Sequence, residues 1–296
     1  MKHTSLITAI LLALFASSHA IGLFVISSYV DVQATKESGE VVWKSLPSIA
    51  GVELERPDVS PQYSVAYIIA AVIAGTIVIL LIARLKTMLL WKAWFAFAVI
   101  LCMYIAFNAF IPTLSALIAA IVLGLAKVFK PGIYIHNFTE LFVYGGLATI
   151  FVPILTLKSA YVLLILLSLY DMYAVWHSKH MITLAKFQTA SSIFAGLLIP
   201  YTSAKTKRKK KTKTRKPSKG TARTAVLGGG DIGFPLIFSG AALVHSGITV
   251  AILTSLGATI ALALLLSLGR KDRFYPAMPF LTAGCTAGFL LGMILA

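Results

Sequence analysis

Acidic side chains are scarce in this chain: ten Asp and Glu stand against 26 Lys and Arg among 296 residues. Six of the ten (Asp31, Glu37, Glu40, Glu53, Glu55, Asp58) fall in one polar stretch near the N-terminus, and Asp272 lies in a short basic loop. Cysteine is as sparse. Cys102 and Cys285 both sit in apolar runs and form no CxxC, which argues against a disulfide framework or a thiolate metal site. Charged residues make up 12% of the chain, against about 25% in soluble domains, so a soluble globular protein is excluded. No cluster has metal-ligand spacing, no Ser/His/Asp or Cys/His arrangement stands out, and no phosphate loop follows a strand. Neither a metal nor another cofactor is expected.

Apolar length is what the chain has instead. Hydrophobic residues reach 58%, and runs of about 20 recur along most of the sequence, the length that crosses a bilayer as a helix. The expected class is all-α: a polytopic membrane protein with nine transmembrane helices, at 5–29, 64–84, 88–108, 112–129, 133–156, 159–177, 225–244, 247–269 and 275–295. The first run has a leader-like start at Lys2, and Ser18-His19-Ala20 resembles a cleavage site. The run nevertheless continues through IGLFVISSYV, beyond the usual core of a leader, and is expected to be retained as a span.

Basic residues set the expected orientation. With the N-terminus inside and nine crossings, 22 of the 26 Lys and Arg fall on the inner side and four (Lys36, Lys44, Arg56, Lys158) outside. The C-terminus then lies outside. Residues 181–199 are long enough to span, but Lys186, Gln188 and Thr189-Ala190-Ser191-Ser192 interrupt them. They read as an interfacial or half-inserted helix. The cluster from Lys205 to Lys219 reads as a disordered cytoplasmic linker attracted to anionic lipid. The net charge of +16 is thereby explained without nucleic acid. The chain divides into spans 1–6 (1–177), the interfacial helix and linker (178–224), and spans 7–9 (225–296).

Against this background, Glu140, Asp171 and Asp231 lie within apolar segments. A carboxylate at membrane depth costs at least a few kcal/mol and marks a functional site by default. Glu140 and His136 read as a structural partner and an interfacial residue. Asp171, six residues from the inner end of its span, and Asp231, six residues into the next, both fall about 9 Å below the inner boundary. Pro276-Ala277-Met278-Pro279 opens the last span at that same level. Carboxyl groups a few Å apart share one proton, so the ionised member can activate water while the other protonates a carbonyl oxygen. Which aspartate plays which part stays open.

A helical substrate must be unwound before water reaches its carbonyls. Gly228, Gly229 and Gly230 allow close backbone approach, and Pro276 and Pro279 interrupt helix hydrogen bonding where an unravelled substrate could pair as a strand. Tyr170 can hydrogen-bond or shape the pocket beside Asp171. The rival use of buried acids is a proton or cation relay in a transporter or channel.

Tyr170-Asp171, Gly228-Gly229-Gly230-Asp231 and Pro276-Ala277-Met278-Pro279 resemble the YD, GxGD and PAL motifs of the presenilin and signal peptide peptidase family, the intramembrane aspartyl proteases. Order, spacing and placement agree over the whole chain, most strongly from residue 159 onward. The resemblance implies Asp171 and Asp231 as the catalytic pair and Pro276, Ala277 and Met278 as residues that help place a substrate. It also implies single transmembrane helices as substrates, cut within the membrane. A compact chain of this kind is expected in the plasma membrane of a microbial cell. Two departures stand out. Met278 replaces leucine, a volume-conserving change, and Gly229 replaces a larger residue, which is expected to loosen substrate selectivity. Prepilin-type peptidases share a GxGD aspartate but have fewer spans and no PAL-like motif.

Overall fold

A membrane-buried backbone must satisfy its own N–H and C=O groups, which a helix does within one segment. The computed structural model describes residues 5–49, 51–85, 88–130, 132–178, 194–201, 223–269 and 275–296. Its long helices are α1 (Ser5–Ser28), α3 (Ser64–Leu85), α4 (Met88–Phe107), α5 (Thr113–Phe129), α6 (Ile133–Phe151), α7 (Leu157–Tyr173), α8 (Gly229–Ser246), α9 (Ile248–Leu268) and α10 (Met278–Leu295), with a short α2 at Val32–Ser38. Local signals set several ends. Pro153 lies in the 3₁₀ turn Val152–Ile154 that closes α6. A capping box of Thr156 and Ser159 then opens α7.

The expectation of nine membrane spans is corrected to seven. Nine long helices form among the described residues, but seven are long and apolar enough to cross a membrane. α5 has only 17 residues, about 25 Å of helix against a hydrocarbon core of about 30 Å. α8 carries Asp231, Pro235, His245 and several glycines, which dilute its apolar content. The class is likewise corrected from all-α to mostly helical, since three two-stranded antiparallel sheets are present among the described residues. Two of them, β1 (Val30–Asp31) with β2 (Val42–Trp43) and β3 (Ser48–Ile49) with β4 (Val52–Glu53), belong to the polar segment after α1.

The third sheet bears on function. β5 (Gly196–Tyr201) pairs with β6 (Arg223–Gly228), Leu198 opposite Val226. A helix was expected through 199 and another from 225; Gly196–Tyr201 and Arg223–Gly228 are strands, and α8 begins at Gly229. Residues 179–193 and the cluster Lys205–Lys219 lie outside the described residues.

α1 forms the centre of the bundle, packed against α6, α8 and α9, with Phe15, Val25 and Ile26 fully buried. The main core joins Phe15, Leu163, Leu164, Leu236, Phe238 and Leu281. α9 and α10 cross at a glycine seam: a Cβ at Gly288 would overlap the Leu253 carbonyl oxygen, and one at Gly292 would lie 2.8 Å from Val250 Cα. Small residues bring the two backbones into contact, the usual way membrane helices associate. α3 stays at the edge, with 11% of its apolar window buried. The segment after α1 is fastened by the Tyr104 hydroxyl, which donates to the Ser48 carbonyl at 2.6 Å, and by Arg56 Nε, which donates to the Thr149 carbonyl at 3.3 Å.

Candidate active site

Three motifs distant in sequence meet where α7 ends, α8 begins and α10 begins. Asp171 lies in the last turn of α7, before a π-turn at Ala174–Ser178. A helix C-terminus alone would disfavour an anion there. The N-terminus of α10 compensates: the Met278 N–H donates to Asp171 Oδ2 at 3.1 Å, and the Ala277 backbone also faces the carboxyl. Asp171 thus caps a helix other than its own. It is buried, at 9% exposure.

Asp231 is the third residue of α8, not the sixth of a span, because the strand β6 occupies the residues expected to begin that helix. From this position its carboxyl reaches back towards the Gly228 backbone, the N-cap. A carboxylate in a first helical turn meets the positive end of the helix dipole. The two aspartates lie within electrostatic reach of each other, across packed α7 and α8. Each therefore sits at a helix N-terminus. Pro235, four residues after Asp231, has no N–H, so the Asp231 backbone carbonyl has no helical donor.

The other motif residues divide by surroundings. Pro276 and Met278 are buried, while Ala277, the N-cap of α10, and Pro279 are partly buried. Ser168, one turn before Asp171, shares a 2.7 Å hydrogen bond with Thr282, one turn after Met278, and so ties α7 to α10 beside the site. Tyr170 lines a small apolar groove between α3 and α7 with Ile69, Val72, Ile73, Leu166 and Leu167. The glycines are not equivalent. A Cβ at Gly230 would meet only ordinary contacts, whereas one at Gly229 would lie 2.7 Å from the Tyr144 hydroxyl and 3.2 Å from the Ala195 carbonyl oxygen. The space beside Gly229, expected to loosen substrate selectivity, is occupied by the protein itself.

Sequence reasoning read Glu140 as a structural partner but passed over Lys127, Tyr144 and Asn137 around it. Glu140 accepts hydrogen bonds from Lys127 Nζ and the Tyr144 hydroxyl, and all three residues are buried. His136, expected at the interface, is buried at 6% exposure, its Nε2 2.7 Å from the Gly196 carbonyl oxygen. Asn137 holds both backbone groups of Leu198: its Nδ2 donates to the carbonyl at 2.8 Å, and its Oδ1 accepts the N–H at 3.0 Å. The signal lay in the spacing, since 136, 140 and 144 share one helix face. Among the described residues, no group of three or more His, Cys, Asp or Glu could hold a metal ion.

The bundle has the fold of an intramembrane aspartate protease. It is similar to two crystal structures of a presenilin family intramembrane aspartate protease. The one in space group C222 has a TM-score of 0.63 and 19% identity, covering 98% of this chain and 99% of that one. The one in space group P2 has a TM-score of 0.61 and 21% identity, covering 97% of each chain. Over residues 42–296 the sequence matches the family described as signal-peptide peptidase, presenilin aspartyl protease. The chain belongs to that family and is an intramembrane aspartyl protease. No curated protein sequence matches it significantly.

Proposed function

We propose that Asp171 and Asp231 are the catalytic pair of this protease, cutting peptide bonds within the transmembrane helices of other membrane proteins. The observation that carries the reading is the meeting of two intramembrane carboxyls, each at a helix N-terminus and within electrostatic reach of the other. Two carboxyls brought within a few Å of each other share one proton. The ionised carboxylate removes a proton from water, whose oxygen attacks the scissile carbonyl carbon while the protonated carboxyl donates to the carbonyl oxygen. Breaking the C–N bond then delivers a proton to the leaving nitrogen. The proton belongs to the coupled pair rather than to one residue.

Pro276, Ala277, Met278 and Pro279 border the pair and help to place the unwound substrate, with Tyr170 on the opposite flank. The hairpin offers a second backbone surface. Among the described residues β6 has β5 as its one strand neighbour, and Val226 on it is exposed. An extended substrate segment can add there by main-chain hydrogen bonding. Following the basic residues, the N-terminus and the 178–224 segment face the cytoplasm and the C-terminus faces outside, in a microbial plasma membrane, an arrangement that requires the shorter α5 and the less apolar α8 to cross as well.

The test uses purified protein in lipid vesicles with a transmembrane reporter, products being read by mass spectrometry. Asp171→Asn and Asp231→Asn each abolish cleavage while the protein remains folded. Full proteolysis by either variant refutes the assignment.

A further inference from the structure

The entry to α8 is gripped from outside its own helix. The Gly229 N–H donates to the Ala195 carbonyl at 3.0 Å, and the Tyr144 hydroxyl lies 2.7 Å from where a Gly229 Cβ would stand. That hydroxyl is aimed by Glu140, whose other oxygen takes Lys127 Nζ. Lys127 and Glu140 are each 2% exposed. A buried ion pair gains little stability over apolar residues of the same volume, so stability alone does not account for one beneath a functional turn. α6 also carries His136 and Asn137, which hold β5. One helix therefore fixes both the hairpin and the first turn of α8.

We propose that Tyr144, oriented by the Glu140–Lys127 pair, is a positioning residue for Asp231: its hydroxyl seats the Gly229 peptide so that the first turn of α8 presents the carboxyl to Asp171. The proposal rests on the reading of Asp231 as catalytic. It also explains Gly229, since the room a larger residue would need there is taken by Tyr144. Pro235 makes such an outside support necessary, because the turn bearing Asp231 is one hydrogen bond short of its own helix.

The test compares kcat and KM of full-length variants in lipid vesicles, with thermal melting as the check on folding. Tyr144→Phe, which removes one oxygen, lowers kcat by about fivefold to tenfold at unchanged KM. Gly229→Ala lowers kcat further, because its methyl group meets that hydroxyl. Tyr144→Phe/Gly229→Ala regains most of the activity of Tyr144→Phe alone, since the closest of the three contacts is gone and the two that remain, at 3.2 Å, ask for a shift of a few tenths of an ångström. Lys127→Met/Glu140→Ala strips the hydroxyl of its acceptor and matches Tyr144→Phe, while Lys127→Met/Glu140→Gln restores an acceptor and recovers most of kcat. If Gly229→Ala fails to fold, the Lys127/Glu140 comparison decides alone. Unchanged kcat in Tyr144→Phe, or multiplicative losses in the double variant, overturns the proposal while leaving an inactive Asp231→Asn in place. Cleavage by Asp231→Asn overturns the reading beneath it.

Discussion

The backbone N–H of Met278 donates to Oδ2 of Asp171 at 3.1 Å, joining residues 107 positions apart. A backbone donor survives most side-chain changes at its own position, so the contact depends on where α10 begins rather than on the methionine itself. The PAMP segment thus acts on the site through main-chain geometry as much as through its side chains.

Met278→Leu keeps the donor and the volume and costs less than about 1.5 kcal/mol, so cleavage rates stay close to those of the parent. Met278→Pro removes the donor and disfavours the helical conformation of Ala277 before it. Loss of a hydrogen bond to a charged group costs about 1.5–3 kcal/mol, which predicts a fall in kcat of tenfold or more. Equal rates for the two variants would show the N–H to be dispensable.

Asn137 gives the outward N–H and C=O of Leu198 the partners that a neighbouring strand would otherwise supply. Asn137→Ala leaves both groups unpaired at a part-buried site, at about 1–3 kcal/mol each. The expected results are a lower melting midpoint and faster proteolytic nicking between 194 and 201. A hairpin as resistant as in the parent protein would contradict this role.

Gly288→Leu forces α9 and α10 apart where their backbones touch. Overpacking of this kind costs about 1–3 kcal/mol. Because α10 carries the donor to Asp171, activity falls more steeply than stability, which parallel melting and turnover measurements would separate. Parallel losses would mean that the seam contributes to stability alone.

Much of this architecture was legible in the sequence because bilayers impose a coarse code. Long apolar runs became helices in the expected order, and two of the acids stranded within them lie where α7 ends and α8 begins. The counts and edges were less legible. α8 is polar enough at its start that the span expected from 225 begins as a strand, and GLLIPY and RTAVLG are apolar runs too short for periodicity to tell strand from helix. Tyr144 and Asn137 were missed for another reason. In an apolar helix an aromatic and an amide look like core and interface, and the segments they act on lie far away in sequence: Gly229 for one, Leu198 for the other. Glu140 stood out by its charge, but its cation was 13 residues upstream on a different helix.

The Asp171 contact also has a temporal side, because its donor, at the start of α10, is synthesised 107 residues after the carboxyl it serves. Until that helix inserts and docks, the carboxyl at the end of α7 lacks its outside support, whatever the state of the preceding segments. A nascent chain halted before residue 275 would therefore lack this support, and the carboxyl would gain it only once α10 has docked.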